Sequence, residues 1–237
     1  MKFTKIIAAV SGIMILLGIL LTVIFTVSFD HNFYVQEYKT YGQAEKIGMS
    51  DEDLMNSTDV LLDYLQAKRD DIVVEATMSG HSVEVFNERE KLHMVDVRNL
   101  LQNAVKARDI MLWGGLVILA VVLARHRDGW LSLLKNTYKY SLITIGAAVG
   151  ALSIWAAVDF YDFWVDFHYL FFDNTLFFLD PNTSIMINMF PENFFFDLVF
   201  RIILIFVIIA AVLGVMIHWF YILKQRKVLA DDQRRSI

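Results

Sequence analysis

The sequence predicts a mainly α membrane protein. Four transmembrane helices carry a small extracellular α+β domain between helices 1 and 2 and an aromatic interfacial segment between helices 3 and 4. Three observations lead there. First, 57% of the residues are hydrophobic, too many for an ordinary soluble domain. Second, the charged residues cluster between long apolar runs, the pattern of a chain that crosses a bilayer repeatedly. Third, the clusters alternate in sign along the chain, basic then acidic, as the positive-inside rule requires of four crossings. The chain has no cysteine, which removes disulfides, thiolate catalysis and Cys-ligated metals.

Residues 1–29 are a short basic leader followed by an unbroken apolar run. The run is longer than a signal-peptide core and has no small-x-small cleavage site, so it reads as a retained first transmembrane helix. Residues 30–109 are acidic and polar and read as the extracellular domain. Ser57-Thr58-Asp59 ahead of Val60, Leu61 and Leu62 predicts a capped amphipathic helix. Ile72 to Met78 predicts a strand ended by Ser79-Gly80. Asn87 with Glu90 three residues on resembles a capping box that opens a longer helix.

On that longer helix His93 shares a face with Phe86, Arg89, Val97, Leu100, Ala104 and Ala107, and Glu90 and Asp96 flank it. One reading is a structural histidine paired to Asp96. The other is an acid or base whose tautomer a carboxylate fixes. The helix runs on into the apolar residues 110–124, the second transmembrane helix. At ~1.5 Å per residue His93 then stands roughly 15 Å above the hydrocarbon.

Residues 125–139 form a basic cytoplasmic loop with Arg125, Arg127, Lys135 and Lys139. Residues 140–158 are the third helix, whose Gly146-x-x-x-Gly150 pattern predicts a packing face. Residues 159–197 hold no Lys or Arg and are dense in aromatics, suited to an interface. Wound as a helix at ~100° per residue, this stretch puts His168 on one side with Tyr161, Trp164, Val165, Phe171 and Phe172. Asp162, Asp166 and Asp173 fall opposite. A histidine in apolar surroundings resists charging and serves as a neutral base; the same spacing also fits a core histidine with one hydrogen bond. Residues 198–223 are the fourth helix. Arg201, one turn inside, reads either as a snorkelling partner of Asp197 or as a cation for a phosphate or developing oxyanion. Residues 224–237 are a basic cytoplasmic tail.

Other chemistries lack their motifs. Glu90-x-x-His93 has no second copy for a di-iron site. No His-Glu-x-x-His is present for zinc, so no metal and no cofactor is expected. There is no Gly-x-Ser-x-Gly elbow, no Walker or Rossmann glycine pattern for a nucleotide, and no basic face for nucleic acid. What remains is two histidines at a membrane interface with aromatic walls and an arginine, a set suited to proton transfer on a lipid-borne group.

The segment Asn87-Glu88-Arg89-Glu90-Lys91-Leu92-His93-Met94-Val95-Asp96-Val97 resembles the His-Met-x-Asp-Val segment of the lipoprotein intramolecular transacylases, the Lit family of Gram-positive bacteria. Phe167-His168-Tyr169-Leu170-Phe171-Phe172, the Asp180-Pro181 turn and Phe190-Pro191-Glu192-Asn193-Phe194-Phe195 resemble that family's second signature. Order, length and topology are similar over essentially the whole chain. The resemblance implies an acyltransferase that moves the sn-2 acyl chain of a diacylglyceryl lipoprotein onto the amine of its N-terminal cysteine, giving the lyso-form. The partners it implies are a diacylated lipoprotein and membrane lipid. It assigns the catalytic pair to His93 and His168. Around that pair, Asp96, Glu90, Arg89, Tyr161 and Arg201 are read as orienting or stabilising residues. The alternatives from other classes are a non-enzymatic membrane sensor or assembly protein and a membrane metallohydrolase.

Overall fold

A computed structural model describes residues 2–126 and 128–235. Met1 of the leader, Arg127 of the basic loop and the last two residues lie outside the described residues, as do the side chains of Lys2, Asp231, Asp232 and Arg235. The chain forms two compact units. One comprises Met1–Val23, Ala107–Leu152 and Ile202–Ile237; the other comprises Ile24–Lys106 and Ser153–Arg201.

The first unit is helical. It holds most of α1 (Lys2–Ser28), a π-helical turn (Ile110–Gly114) running into α6 (Gly115–Arg125), most of α7 (Trp130–Val158) and most of α10 (Glu192–Arg235). Four helices among the described residues are long and apolar enough to cross a membrane. The third begins at Trp130 rather than Tyr140, and the fourth continues as helix through the basic tail. Lysine and arginine are good helix formers, so charge alone does not end a helix.

The Gly146/Gly150 face is a correction. A Cβ on either glycine would meet open space. Close approaches are made instead at Gly12, where a Cβ would lie 2.4 Å from Ser141 Oγ and 2.8 Å from Thr137 Cγ2, and at Gly18 and Gly115, where it would lie 2.9 Å from Leu112 and from Ile15. Ser141 Oγ–H also donates to the Ala9 carbonyl at 3.2 Å. Small residues let the backbones of α1 and α7 approach, and the pair that does so shows no GxxxG spacing.

The second unit has its own core. It contains α2 (His31–Tyr41), α3 (Gln43–Ile47), α4 (Asp51–Leu65), the hairpin β1 (Glu75–Met78) and β2 (His81–Glu84), α5 (Glu88–Asp109) up to Lys106, α8 (Phe160–Phe171), α9 (Ile185–Met189) and the first turns of α10. Phe33, Tyr38, Leu54, Leu61, Phe86, Met189 and Phe194 belong to one buried cluster. α4 starts at Asp51, capped by Ser50 Oγ accepting from Asp53 N, and not at Ser57-Thr58. Those two hydroxyls are buried and bond back to the carbonyls of Asp53 and Leu54, a helix-interior pattern that imitates a cap in sequence. β1 is shorter than the apolar run suggests. It pairs antiparallel with β2 across Ser79-Gly80, both at positive φ, as a two-residue hairpin turn requires.

The capping box closes α5 as its spacing predicts. Asn87 N–H donates to Glu90 Oε2 at 2.6 Å, and Glu90 N–H donates to Asn87 Oδ1 at 3.0 Å.

A histidine pair in an aromatic box

α5 and α8 bring His93 and His168 together, with ring centroids 5.9 Å apart and planes tilted by 35°. His93 is only 5% exposed. Phe172 packs edge-on to it at 5.3 Å. Around His168, Trp164 stands edge-on at 5.1 Å and Phe177 stacks at 4.7 Å. The box forms because α8 presents Trp164 and His168 one turn apart, while the chain after α8 folds Phe172 and Phe177 back over them.

The hydrogen bonds fix the chemistry of each ring. His168 Nδ1–H donates to the Trp164 carbonyl at 2.6 Å. That places the proton on Nδ1 and leaves the Nε2 lone pair as the basic atom. His93 Nδ1 is buried and has no hydrogen-bond partner among the described residues. Both rings lie outside the apolar part of the spanning helices. Burial, and then the neighbouring His168, hold His93 down to about 4, with Asp96 opposing. Burial also holds His168 below the usual imidazole value, partly offset by its bond to Trp164. Both rings are therefore neutral near pH 7, and two charges this close would repel, so the pair carries at most one positive charge at a time.

The other predicted residues take different places. Asp96 does not hydrogen-bond His93; its Oδ2 accepts from Asn174 Nδ2–H at 2.8 Å. Glu90 is fully buried and serves the backbone. Beyond the capping box, its Oε1 accepts from Ser184 Oγ–H and from Met186 N–H, the latter at 2.9 Å. Arg89 ties down the loop that carries Phe177, donating from Nε to the Phe178 carbonyl at 3.1 Å and from Nη2 to the Thr175 carbonyl. Arg201 pairs with Asp30 at 2.8 Å rather than with Asp197, whose carboxylate accepts from the Tyr41 hydroxyl. Asp197 is a local choice four residues away; tertiary packing offers Arg201 a different carboxylate. Tyr161 is 61% exposed and is not among the rings packed on His168. Phe177 and Asn174 were not legible in sequence. Their only signal is an Asn and a Phe-Phe pair following the histidine segment.

No cluster of metal-ligand residues occurs among the described residues. The arrangement can move a proton to and from a group held beside two neutral imidazoles, among aromatic walls.

A family model described as lipoprotein intramolecular transacylase Lit matches residues 9–195. Among solved structures, the in meso structure of the membrane integral lipoprotein intramolecular transacylase Lit from Bacillus cereus superposes with a TM-score of 0.73 at 20% identity, covering 95% of this chain and 99% of that chain. A form of that protein with a histidine-to-arginine mutation gives a TM-score of 0.74 at 20% identity over 96% and 95% of the two chains. A histidine-to-alanine form gives 0.70 at 19% identity over 95% of each. At this identity the likeness establishes the fold. Among curated proteins none matches significantly.

Proposed function

The chain belongs to the lipoprotein intramolecular transacylase family, Lit, and is a multi-pass membrane acyltransferase; from that premise we propose that it moves the sn-2 acyl chain of a diacylglyceryl lipoprotein to the amine of the N-terminal cysteine, using His93 and His168 for the proton transfers. The observation that carries this reading is the imidazole pair at 5.9 Å, with the free lone pair of His168 set by its bond to Trp164.

His168 Nε2 takes a proton from the cysteine ammonium and releases it to water before the next proton moves. The freed amine attacks the sn-2 ester carbonyl, forming the N–C bond and an oxyanion. With His168 neutral again, the nitrogen gives up a second proton to neutral His93. As the oxyanion collapses to the amide carbonyl and the C–O bond to the glycerol breaks, His93 delivers that proton to the leaving oxygen. The low basicity of His93 makes it the stronger acid of the two once protonated. The amide keeps the third N–H. Amine and ester belong to one molecule, so the rate comes mainly from holding them together in a dry site.

Purified protein in nanodiscs with a diacylated lipopeptide should give a product of unchanged mass whose amine is acylated and whose sn-2 hydroxyl is free, read by tandem mass spectrometry. Unaltered lipopeptide would sink the proposal and favour the sensor reading. The same assay gives the pH dependence. A base must be unprotonated, and His168 lies below the ordinary imidazole value, so it does not limit activity near neutrality. kcat/KM should rise between about pH 6 and 8 with the substrate amine, whose ordinary pKa is about 7.7–8.0. A limb that instead titrates with an ordinary histidine value and is unmoved by raising the amine's basicity would contradict the neutral pair.

We place residues 30–109 and 159–197 outside and both termini in the cytoplasm, on the sign of the flanking charges. The chain has no cysteine of its own, so single cysteines report cleanly. Ser82→Cys should react with an impermeant reagent in whole cells and Ser132→Cys should not; the opposite labelling would invert the orientation.

A further inference from the structure

Beside the histidine pair lies a cavity of about 320 Å³. Asp96, Asn99 and Asn103 line it from α5, and Phe172, Asp173 and Asn174 line it from the chain after α8. Phe172 is shared: it forms a wall of the cavity and packs on both imidazoles, at 5.3 Å from His93 and 5.8 Å from His168. His93, one turn before Asp96 on α5, keeps a buried Nδ1 with no hydrogen-bond partner among the described residues, and Phe172, which packs on it, rather than His93 itself lines the cavity. Two carboxylates and three amides line the space, and no Lys or Arg does among the described residues. Such a lining accepts hydrogen bonds and attracts positive charge, and it disfavours a phosphate.

We infer that this cavity is the head-group subsite of the transacylase, taking the α-ammonium of the lipidated cysteine on Asp96 and Asp173 and the glyceryl oxygens on Asn99 and Asn103. The inference rests on the transacylase reading. It explains a selectivity that the reaction requires. Phospholipids carry the same sn-2 ester and are abundant in a membrane, but each presents a phosphate where the lipoprotein presents an ammonium. Carboxylates at this position admit one head group and repel the other. They also hold the amine charged, so it becomes a nucleophile only by giving its proton to His168.

The probe is a diacylated lipopeptide whose sn-2 ester is replaced by an ether, which cannot react, in free-amine and N-acetylated forms. Binding is titrated on the full chain in nanodiscs at pH 6.5. The free-amine form should bind about tenfold more tightly than the acetylated form, as expected of a partly desolvated ion pair. Asp173→Asn, at an exposed position, and Asp96→Asn should each reduce that preference, and the double variant should abolish it. With the reactive ester, both variants should raise KM more than they lower kcat. The amine limb of their kcat profile should move to lower pH, because the bound amine loses the charges that raised its pKa; a merely structural defect would not move it. Equal binding of the two forms by the unaltered protein would overturn the subsite, even while acyl transfer is observed. A preference that persists without any acyl transfer would instead overturn the proposed reaction and leave an ammonium-binding cavity.

Discussion

His93→Ala and His168→Ala should each leave a folded, membrane-inserted protein that makes little lyso-lipoprotein, with losses of roughly 10²–10⁴-fold in single-turnover rate. The double variant should be about as inactive as the worse single, because acid and base serve one transfer and their losses do not add. Removing His168 takes away the one lone pair that the Trp164 bond leaves free. Removing His93 leaves the leaving oxygen to depart as an alkoxide. Asp96→Asn should cost less than either, because Asp96 bonds Asn174 and not the imidazole. Multiplicative losses in the double variant would mean that the two histidines contribute independently of each other. A His93→Ala enzyme of normal rate would leave His168 to carry the proton both ways.

The second large effect falls on stability. Glu90→Ala should destabilise the second unit by roughly 3–5 kcal/mol, since it orphans donors at three places, each costing about 1–3 kcal/mol when buried. Those donors are the N–H of Asn87, the hydroxyl of Ser184 and the N–H of Met186. Ser184 and Met186 open α9, whose Met186 and Met189 are buried in the core. Loss of the carboxylate therefore loosens the chain that also carries Phe177. Glu90→Gln should be intermediate, because its amide nitrogen must face a donor. Chemical denaturation followed by fluorescence, in a background where Trp164 is kept and the other four tryptophans are replaced by Phe, reads the difference. A Glu90→Ala protein as stable as the unaltered chain would show that these bonds contribute little.

The parts legible in sequence are the ones decided locally. The capping box at Asn87 and Glu90 lies within one turn, and it formed as read. The apolar runs were long enough to declare four crossings by themselves. The face of α5 that holds His93 followed from helical periodicity. What sequence did not reveal was decided across the chain. Nothing within α5 indicates that Glu90 reaches Ser184, or that Asp96 turns to Asn174. Arg201 had a carboxylate in register at Asp197, yet packing gave it Asp30. β2 was invisible because Val83 is its only apolar residue among His81, Ser82, Val83 and Glu84. The packing role went to Gly12, Gly18 and Gly115, which no GxxxG spacing marks. Each histidine could be noticed singly; their separation of 5.9 Å is a property of the fold.

The central claim is direct transfer, with amine and ester of one substrate joined between two imidazoles and no acyl group held by the enzyme. Intact-protein mass spectrometry, on enzyme rapidly quenched during turnover of excess diacylated lipopeptide, tests it most directly. The account predicts enzyme of unchanged mass at every time while lyso product accumulates. An enzyme heavier by one acyl chain, formed and consumed at the rate of turnover and lost on substitution of a Ser, Thr, Tyr or His, would contradict it and establish a covalent acyl-enzyme route.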